Sequence, residues 1–313
     1  MSETTATPMP GLGRLRLGTA PDSWGVWFPD DPHQVPWHRF LDEAAASGYE
    51  WIELGPYGYL PTDAEQLRDE LGRRGLQLSG GAVFAGLHRG KEALDSAVEE
   101  CLVEARLLTA LGAQHLVLLP EGYTELDGTV NQPIDLTAEQ WGDLTSQMST
   151  LARILRDETG VELVFHPHAD SHVDTQERVV RFLEDTDPET VQLCLDTGHI
   201  SYCGGDNVAI IQAFPERMGY VHLKQVDPAV MQQVAEGKLG FAQAVRRGAM
   251  VEPPRGIPDM PTLLEALGRL DVDLFAIVEQ DLYPCDPDVP MPIATRTSRY
   301  LSECGLGPVR SGV

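Results

Sequence analysis

Eight short apolar runs recur along the chain, and each is followed by a segment with helical spacing. The runs are almost continuously apolar rather than alternating, which is typical of parallel strands covered on both faces. The intervening segments carry apolar residues at 3.6-residue spacing, begin at caps such as Thr62 and Thr137, and end at glycines. The pattern predicts strands at residues 15–19, 51–54, 76–79, 115–119, 161–165, 191–195, 219–223 and 274–278.

The connections differ between the two ends of the strands. Helices lead into the next strand through a single glycine in several places, whereas several loops from strand to helix are long. Short connections at one end of the strands and long loops at the other are typical of a (β/α)8 barrel, whose active site lies at the carboxyl ends of the strands. The glycines are Gly48, Gly75, Gly112 and Gly160, and the long loops cover residues 19–36, 120–136 and 225–260.

We therefore predict an α/β protein with one (β/α)8 TIM barrel over residues 14–306 and disordered tails at 1–13 and 307–313. A doubly wound open sheet is the alternative. No G-x-G-x-x-G or G-x-x-x-x-G-K-[ST] pattern opens a helix, so nucleotide binding has no support in the sequence.

Net charge and cysteine usage limit the possible partners and the cellular compartment. The formal net charge is −25, which disfavours nucleic acid and anionic membranes as partners. Five scattered cysteines without C-x-x-C pairing indicate a reduced cytoplasmic protein with no cysteine zinc site. No apolar run approaches 18 residues, and the N-terminus lacks a signal sequence. We expect a cytoplasmic protein; a homo-oligomer stays open.

Polar side chains collect where the predicted strands end. The sixth strand runs into Asp196-Thr-Gly-His199, and the seventh ends in His222-Leu-Lys224. Because parallel strands bring their carboxyl ends to one edge, we expect these groups to converge. The other strand-end groups are Asp22, Trp24, Glu53, His166, His168, Glu279 and Asp281.

These groups are suited to holding a divalent metal. His166 and His168 lie two residues apart and so face the same side of a strand. Imidazoles and carboxylates from separate strands, Glu279 among them, favour Mn, Co, Fe or Zn, and an open coordination position would serve catalysis.

Each signal also has a structural interpretation. The Asp-Thr-Gly segment at Asp196 could be an Asx turn into a helix, and His166-Pro-His168 could be core imidazoles. Lys224 could be a solvated strand end, and Glu53 could be an interior carboxylate paired with an arginine. Signals at four strand ends are harder to explain in this way than any one of them alone.

At these residues the chain resembles the xylose-isomerase-like sugar isomerase/epimerase barrels, over about residues 15–306. That family carries Asp-x-x-His after the sixth strand, His-x-Lys after the seventh and Glu on the eighth. The resemblance implies that Asp196, His222 and Glu279 are metal ligands and that His199 contacts substrate. The matching segments are Asp196-Thr-Gly-His199, His222-Leu-Lys224 and Val278-Glu279-Gln-Asp281.

The fifth strand departs from the family pattern. The isomerases have Glu-x-His there, whereas this chain has His166-Pro-His168. A histidine from this strand is the expected fourth ligand, with His166 preferred and His168 left open. Symmetrical acid–base chemistry by two carboxylates is then disfavoured.

The His-Pro-His form, together with Ala20-Pro-x-x-Trp24 and Glu279-Gln-Asp281, resembles the myo-inosose dehydratase branch. The resemblance implies a lyase that removes water from 2-keto-myo-inositol with Mn²⁺ or Co²⁺; Mg²⁺, Fe²⁺ or Zn²⁺ remain compatible. The expected partner is a small neutral polyol or keto-sugar. The expected substrate contacts are His168, His199, Trp24 and Asp281.

A metal-dependent lyase acting through an enediolate is the leading hypothesis. An isomerase or epimerase of a keto-sugar or inosose is the alternative, and a sugar-binding barrel without activity is a third. An apurinic-site endonuclease shares the barrel but would need a basic DNA track. Lys224, Glu53 and His199 are the candidate bases, Lys224 only with a lowered pKa. Glu279 is expected to act in catalysis as well as ligation.

Overall fold

A computed structural model describes residues 11–307, so most of both predicted tails, 1–13 and 307–313, lies outside the described residues. Eight parallel strands close into a barrel in which each strand pairs with the next and the last pairs with the first. This confirms the predicted (β/α)8 fold. Within the described residues, no helix combines the length and apolar character needed to span a bilayer.

The strands belong to two sheets. The barrel consists of β1 Leu15–Thr19, β2 Trp51–Pro56, β3 Gln77–Ala85, β4 His115–Pro120, β5 Glu162–Phe165, β6 Gln192–Asp196, β7 Met218–Leu223 and β10 Leu274–Val278. The second sheet is small and antiparallel, and consists of β8 Gln225–Val226 and β9 Met250–Val251.

Helices follow the strands along the chain and cover the barrel. They are α1 Trp37–Ala46, α2 Ala64–Arg74, α3 Lys91–Leu111, α4 Ala138–Thr159, α5 Gln176–Asp185, α6 Thr197–Tyr202, α7 Asn207–Ala213, α8 Pro228–Gly237, α9 Phe241–Arg246, α10 Met260–Gly268 and α11 Pro290–Glu303.

Most predicted bounds agree with the structure within one or two residues. The predicted N-cap of α2, Thr62, was wrong. The cap is Asp63, which accepts a hydrogen bond from the backbone N–H of Gln66 at 2.8 Å. The third strand also extends beyond the predicted 76–79, because backbone pairing with β4 continues to Ala85.

The barrel is closed by the first and last strands, which pair from Leu15 with Leu274 to Thr19 with Val278. Inside the barrel, below the carboxyl ends of the strands, lies a small apolar layer. The Tyr220 hydroxyl crosses this layer and donates a hydrogen bond to Oγ of Ser79 at 2.8 Å. The layer consists of Ala20, Val117, Val164, Cys194, Tyr220 and Ile277.

The segment 225–260, predicted as a long loop, is folded. It forms the two-stranded β8–β9 sheet and the helices α8 and α9. The backbone N–H of Phe241, the first residue of α9, donates to Oδ2 of Asp170 at 2.7 Å, and Oγ1 of Thr124 donates to the same oxygen at 2.7 Å. These bonds hold α9 over the mouth of the barrel.

Candidate active site

The carboxyl ends of the strands open into a cavity of about 790 Å³. Its wall includes charged and aromatic side chains from many elements of the barrel. A cavity of this size admits a small organic molecule. The predicted site residues that line it are Glu53, His166, His168, His199, His222, Lys224, Glu279 and Asp281.

Four of the predicted groups come together at the base of this cavity. One ligand atom from each lies within 4.8 Å of the others, and all four residues are buried. This set contains His166 and not His168. The four residues are His166, Asp196, His222 and Glu279.

The donor geometry fits a cation. Nδ1 of His222 is buried and forms no hydrogen bond of normal geometry, although Oε2 of Glu279 lies 2.9 Å away and Oδ2 of Asp196 3.8 Å away. Oδ2 of Asp196 is also 3.3 Å from Nε2 of His166. Two imidazole nitrogens and two carboxylates form a donor set that suits a divalent transition metal.

Asp196 ends β6 and caps α6. Its Oδ1 accepts from the backbone N–H of His199 at 2.7 Å, which leaves Oδ2 for the cavity. Burial opposes ionisation, but the Lys224 ammonium and the neighbouring imidazoles hold the pKa of Asp196 well below its usual value. The carboxylate is therefore anionic.

Glu53 lines the cavity, but its carboxylate is paired with His222 and is not a free base. Nε2 of His222 lies 3.0 Å from Oε1 of Glu53, and both side chains are almost fully buried. An N–H at Nε2 donates to this carboxylate and leaves the lone pair of His222 on Nδ1, the atom that faces Glu279.

Four carboxylates surround the buried amine of Lys224. Burial disfavours the charged amine, but these carboxylates outweigh it, so the pKa of Lys224 lies well above its usual value. Lys224 is therefore protonated and lacks the lowered pKa that it would need to act as a base. The distances from Nζ are 2.7 Å to Oδ2 of Asp281, 3.2 Å to Oε2 of Glu279, 3.3 Å to Oδ2 of Asp196 and 3.7 Å to Oδ2 of Asp22.

His199 is a neutral donor. Burial, with the nearby His168, places its pKa well below the usual value. Its Nδ1 accepts from the backbone N–H of Ala169 at 3.2 Å, so the proton of the neutral ring is on Nε2. Nε2 lies 3.5 Å from Nζ of Lys224, so two donors point at one region of the cavity.

His168 stacks beside His199, with ring centroids 4.0 Å apart. Its Nδ1 donates to the backbone oxygen of Ala169 at 2.6 Å, and burial, with His166, lowers its pKa to about 3. His168 is therefore a neutral part of the cavity wall, next to the donor set rather than in it.

Trp24 does not contact the cavity, in contrast to our expectation. Its ring is fully buried against Phe40 and its Nε1 donates to Glu43 at 2.8 Å. Gly25, with φ of 71°, turns the chain so that Trp27 lines the cavity instead. Trp27 therefore occupies the place in the cavity wall that we expected for Trp24.

Two other lining residues were missed by sequence reasoning. Phe241 packs against the rings of His168 and His199, at 4.9 and 4.8 Å between centroids. Glu104 reaches the cavity from α3. Neither follows a strand, so the strand-end pattern gave no signal for them.

Comparison with known proteins agrees with the family resemblance seen in the sequence. A family model described as a xylose isomerase-like TIM barrel matches residues 41–298. A curated protein named inosose dehydratase from Geobacillus thermodenitrificans is 29% identical over 300 residues, covering 94% of this chain and 98% of that protein. One of the same name from Clostridium perfringens is 28% identical, covering 92% and 97%.

Solved structures show the same fold at lower identity. The IolI protein with a bound zinc atom has a TM-score of 0.71 and 18% identity, covering 95% of this chain and all of that one. A probable 3-DHS dehydratase, AsbF from Bacillus anthracis, has a TM-score of 0.70 and 16% identity, covering 92% and 99%.

Proposed function

We propose, since the chain belongs to the xylose isomerase-like TIM barrel family, that it is a divalent-metal-dependent dehydratase of an inosose such as 2-keto-myo-inositol. Similarity to inosose dehydratases over nearly the full length of both chains supports the reaction. The observation that carries the proposal is the buried His166, Asp196, His222 and Glu279 set at the base of a cavity large enough for a cyclic polyol.

In this proposal His166, Asp196, His222 and Glu279 hold the ion. Mn²⁺ or Co²⁺ is the metal that the resemblance to inosose dehydratases implies, and both accept mixed imidazole and carboxylate ligands. When bound, the ion supplies Lewis-acid polarisation of the ketone and stabilises the negative charge of an enediolate.

His199 and Lys224 serve as donors in this scheme. The Nε2–H of His199 and the ammonium of Lys224 cannot hydrogen-bond to each other, so both are available to one substrate oxygen. Placed at the β-hydroxyl, Lys224 transfers a proton as the carbon–oxygen bond breaks, and the hydroxyl leaves as water. The surrounding carboxylates keep Lys224 in the protonated form that this role requires.

The base that takes the α-proton is then Asp22. Its carboxyl lines the cavity, lies outside the four-residue donor set, and is 3.7 Å from Lys224. Burial and the charge of Glu279 raise its pKa well above the usual value, which strengthens it as a base. The three bases proposed from sequence are otherwise engaged: Glu53 with His222, Lys224 as a cation, and His199 as a donor.

The test is incubation of the metal-loaded protein with 2-keto-myo-inositol in D₂O. We expect an unsaturated or diketone product, detected by ultraviolet absorption, with none formed after chelation or by Asp196→Ala. Deuterated starting ketone or its epimer, without loss of water, would replace the lyase by an isomerase. Asp22→Asn should lower kcat by about 100-fold or more if Asp22 is the base.

We further propose that residues 14–306 act as one domain in the cytoplasm. All five cysteines are free in the structure, which suits a reducing compartment.

A further inference from the structure

Glu104 is a buried acid on the outer helical layer whose carboxyl faces the inner cavity. It lies in α3, which packs outside the barrel, yet its side chain is only 2% exposed. It lines the same cavity as His222 and Lys224. A carboxyl from a surrounding helix therefore reaches into the strand layer, where it borders the cavity.

A break between β2 and β3 provides the passage. The pairing of the two strands shifts register between Glu53 and Pro56, where Gly55 has a φ of 69°. The backbone N–H of Ala82 donates instead to Oε1 of Glu104 at 3.0 Å. At Gly81 a Cβ atom would collide with that oxygen, so the glycine leaves room for the carboxyl.

No cation compensates this acid. Among residues 11–307, Glu104 forms no salt bridge, and the charged group that acts on it from another element is Glu53. Cys101, on the same helix, is a buried thiol whose own pKa is raised and which brings no positive charge. Burial, reinforced by Glu53, raises the pKa of Glu104 to about 8.

A neutral carboxyl has two different oxygens. Oε1 accepts from Ala82, which leaves an O–H that has a hydrogen bond to give. Closing the gap in the β2–β3 ladder requires only an acceptor, which a glutamine would provide equally well. An acid without a cation, buried at a cavity wall, is a costly solution unless a ligand uses it.

We propose that Glu104 determines substrate specificity by donating a hydrogen bond to a hydroxyl of the bound cyclic polyol. The inference rests on the proposed function and extends it, because the dehydratase reaction itself does not require a group at this wall. Ionised Glu104 has no proton to donate and places a second negative charge near the Glu53 carboxylate, so it binds the polyol less well than neutral Glu104.

The experiment compares Glu104→Gln, Glu104→Leu and the unchanged enzyme with 2-keto-myo-inositol at saturating Mn²⁺ from pH 6.5 to 9. Gln keeps the acceptor for Ala82 and supplies a donor at every pH. We expect the KM of the unchanged enzyme to rise about 10-fold as pH passes 8, and the KM of Glu104→Gln to stay flat. Glu104→Leu should raise KM about 10-fold at pH 6.5 with a smaller effect on kcat.

Stability gives a readout that does not depend on turnover. A carboxyl whose folded pKa is raised makes folding less favourable as pH rises from the unfolded pKa, near 4.3, to about 8. The difference in Tm between Glu104→Gln and the unchanged protein should therefore shift in favour of Glu104→Gln as pH rises across this window.

Three results would overturn the inference. One is a folded Glu104→Leu with unchanged KM; another is a Glu104→Gln whose KM rises with pH as in the unchanged enzyme. If Glu104→Leu does not fold, Gly81→Ala, which displaces the carboxyl, replaces it, and its unchanged KM would count equally. Absence of turnover by the unchanged enzyme would overturn the proposed function as well, whereas the other results would leave it intact.

Discussion

Asp196 combines two roles that look like alternatives in the sequence. As an Asx-type cap, its Oδ1 accepts from the N–H of His199, and its Oδ2 faces His166 at 3.3 Å. The structural interpretation of Asp-Thr-Gly was therefore correct without excluding the functional one. The cap orients the carboxylate and leaves one oxygen free.

Replacing Asp196 should separate the two roles. Asp196→Asn keeps an oxygen for the cap but removes the anionic ligand, so we expect loss of stoichiometric Mn²⁺ after dialysis and loss of activity. Asp206 is a matched control, because it caps α7 through Ala209 at 3.1 Å, away from the donor set. Asp206→Ala should cost about 1 kcal/mol of stability and keep the metal. Full metal occupancy in Asp196→Asn would remove Asp196 from the ligand set.

Glu53 offers a second test at the same scale. Because it accepts from His222 and fixes the ring, Glu53→Ala should weaken Mn²⁺ binding about 10- to 100-fold, measured by competition with a chelator. Glu53→Gln, which retains an acceptor, should lose less. Unchanged metal affinity with a large fall in kcat would instead make Glu53 a base.

The convergence of these residues was predictable, since parallel strands bring their carboxyl ends together. Their partners were not predictable. The acidic surroundings of Lys224 depend on side-chain directions from three strand ends, and they raise its pKa, the opposite of the shift that a basic Lys224 would need. Glu104 could not be identified because a register shift, which no residue pattern marks, lets a helix side chain reach the backbone of the strand layer.

At the scale of elements, α9 forms a cover over the site that the sequence did not indicate. The six-residue helix α9 and the two-residue strands β8 and β9 are too short for hydrophobic periodicity, and the ten-residue helix α8 buries only Val234, so the segment 225–260 was predicted as a loop. By contrast, β1 and β10 have the predicted bounds, because continuous apolar runs define them.

Asp170 holds α9 in place and can be tested. Its φ of 59° suits Asn and Gly, so Asp170→Gly removes both hydrogen bonds without backbone strain and Asp170→Asn keeps an acceptor. We expect amide hydrogen exchange in residues 241–246 to be about 10- to 100-fold faster in Asp170→Gly, and near normal in Asp170→Asn. Equal protection in all three proteins would show that packing of Phe241 alone retains the helix.

At the scale of the whole molecule, a bound ion joins strands that are far apart in sequence. His166, Asp196, His222 and Glu279 come from four strand ends, so binding favours the folded barrel only. Mn²⁺ at about 100 times its Kd should stabilise the protein by about 2.7 kcal/mol and raise Tm by roughly 5 °C. Asp196→Ala should show no shift. The same shift in that variant would place the ion elsewhere on this acidic protein, whose net charge is −25.

The pairing of the first and last strands also has a consequence for synthesis on the ribosome. Leu15–Thr19 emerges first of the barrel strands, but its partner, Leu274–Val278, emerges only about 255 residues later. At bacterial and eukaryotic elongation rates of about 5–20 residues per second, the nascent chain waits roughly 10 to 50 s with β1 unpaired on that edge. Unpaired edges invite association with other chains. Glu279 and Asp281 are made after that wait, so the catalytic centre is completed only after all eight barrel strands have been synthesised.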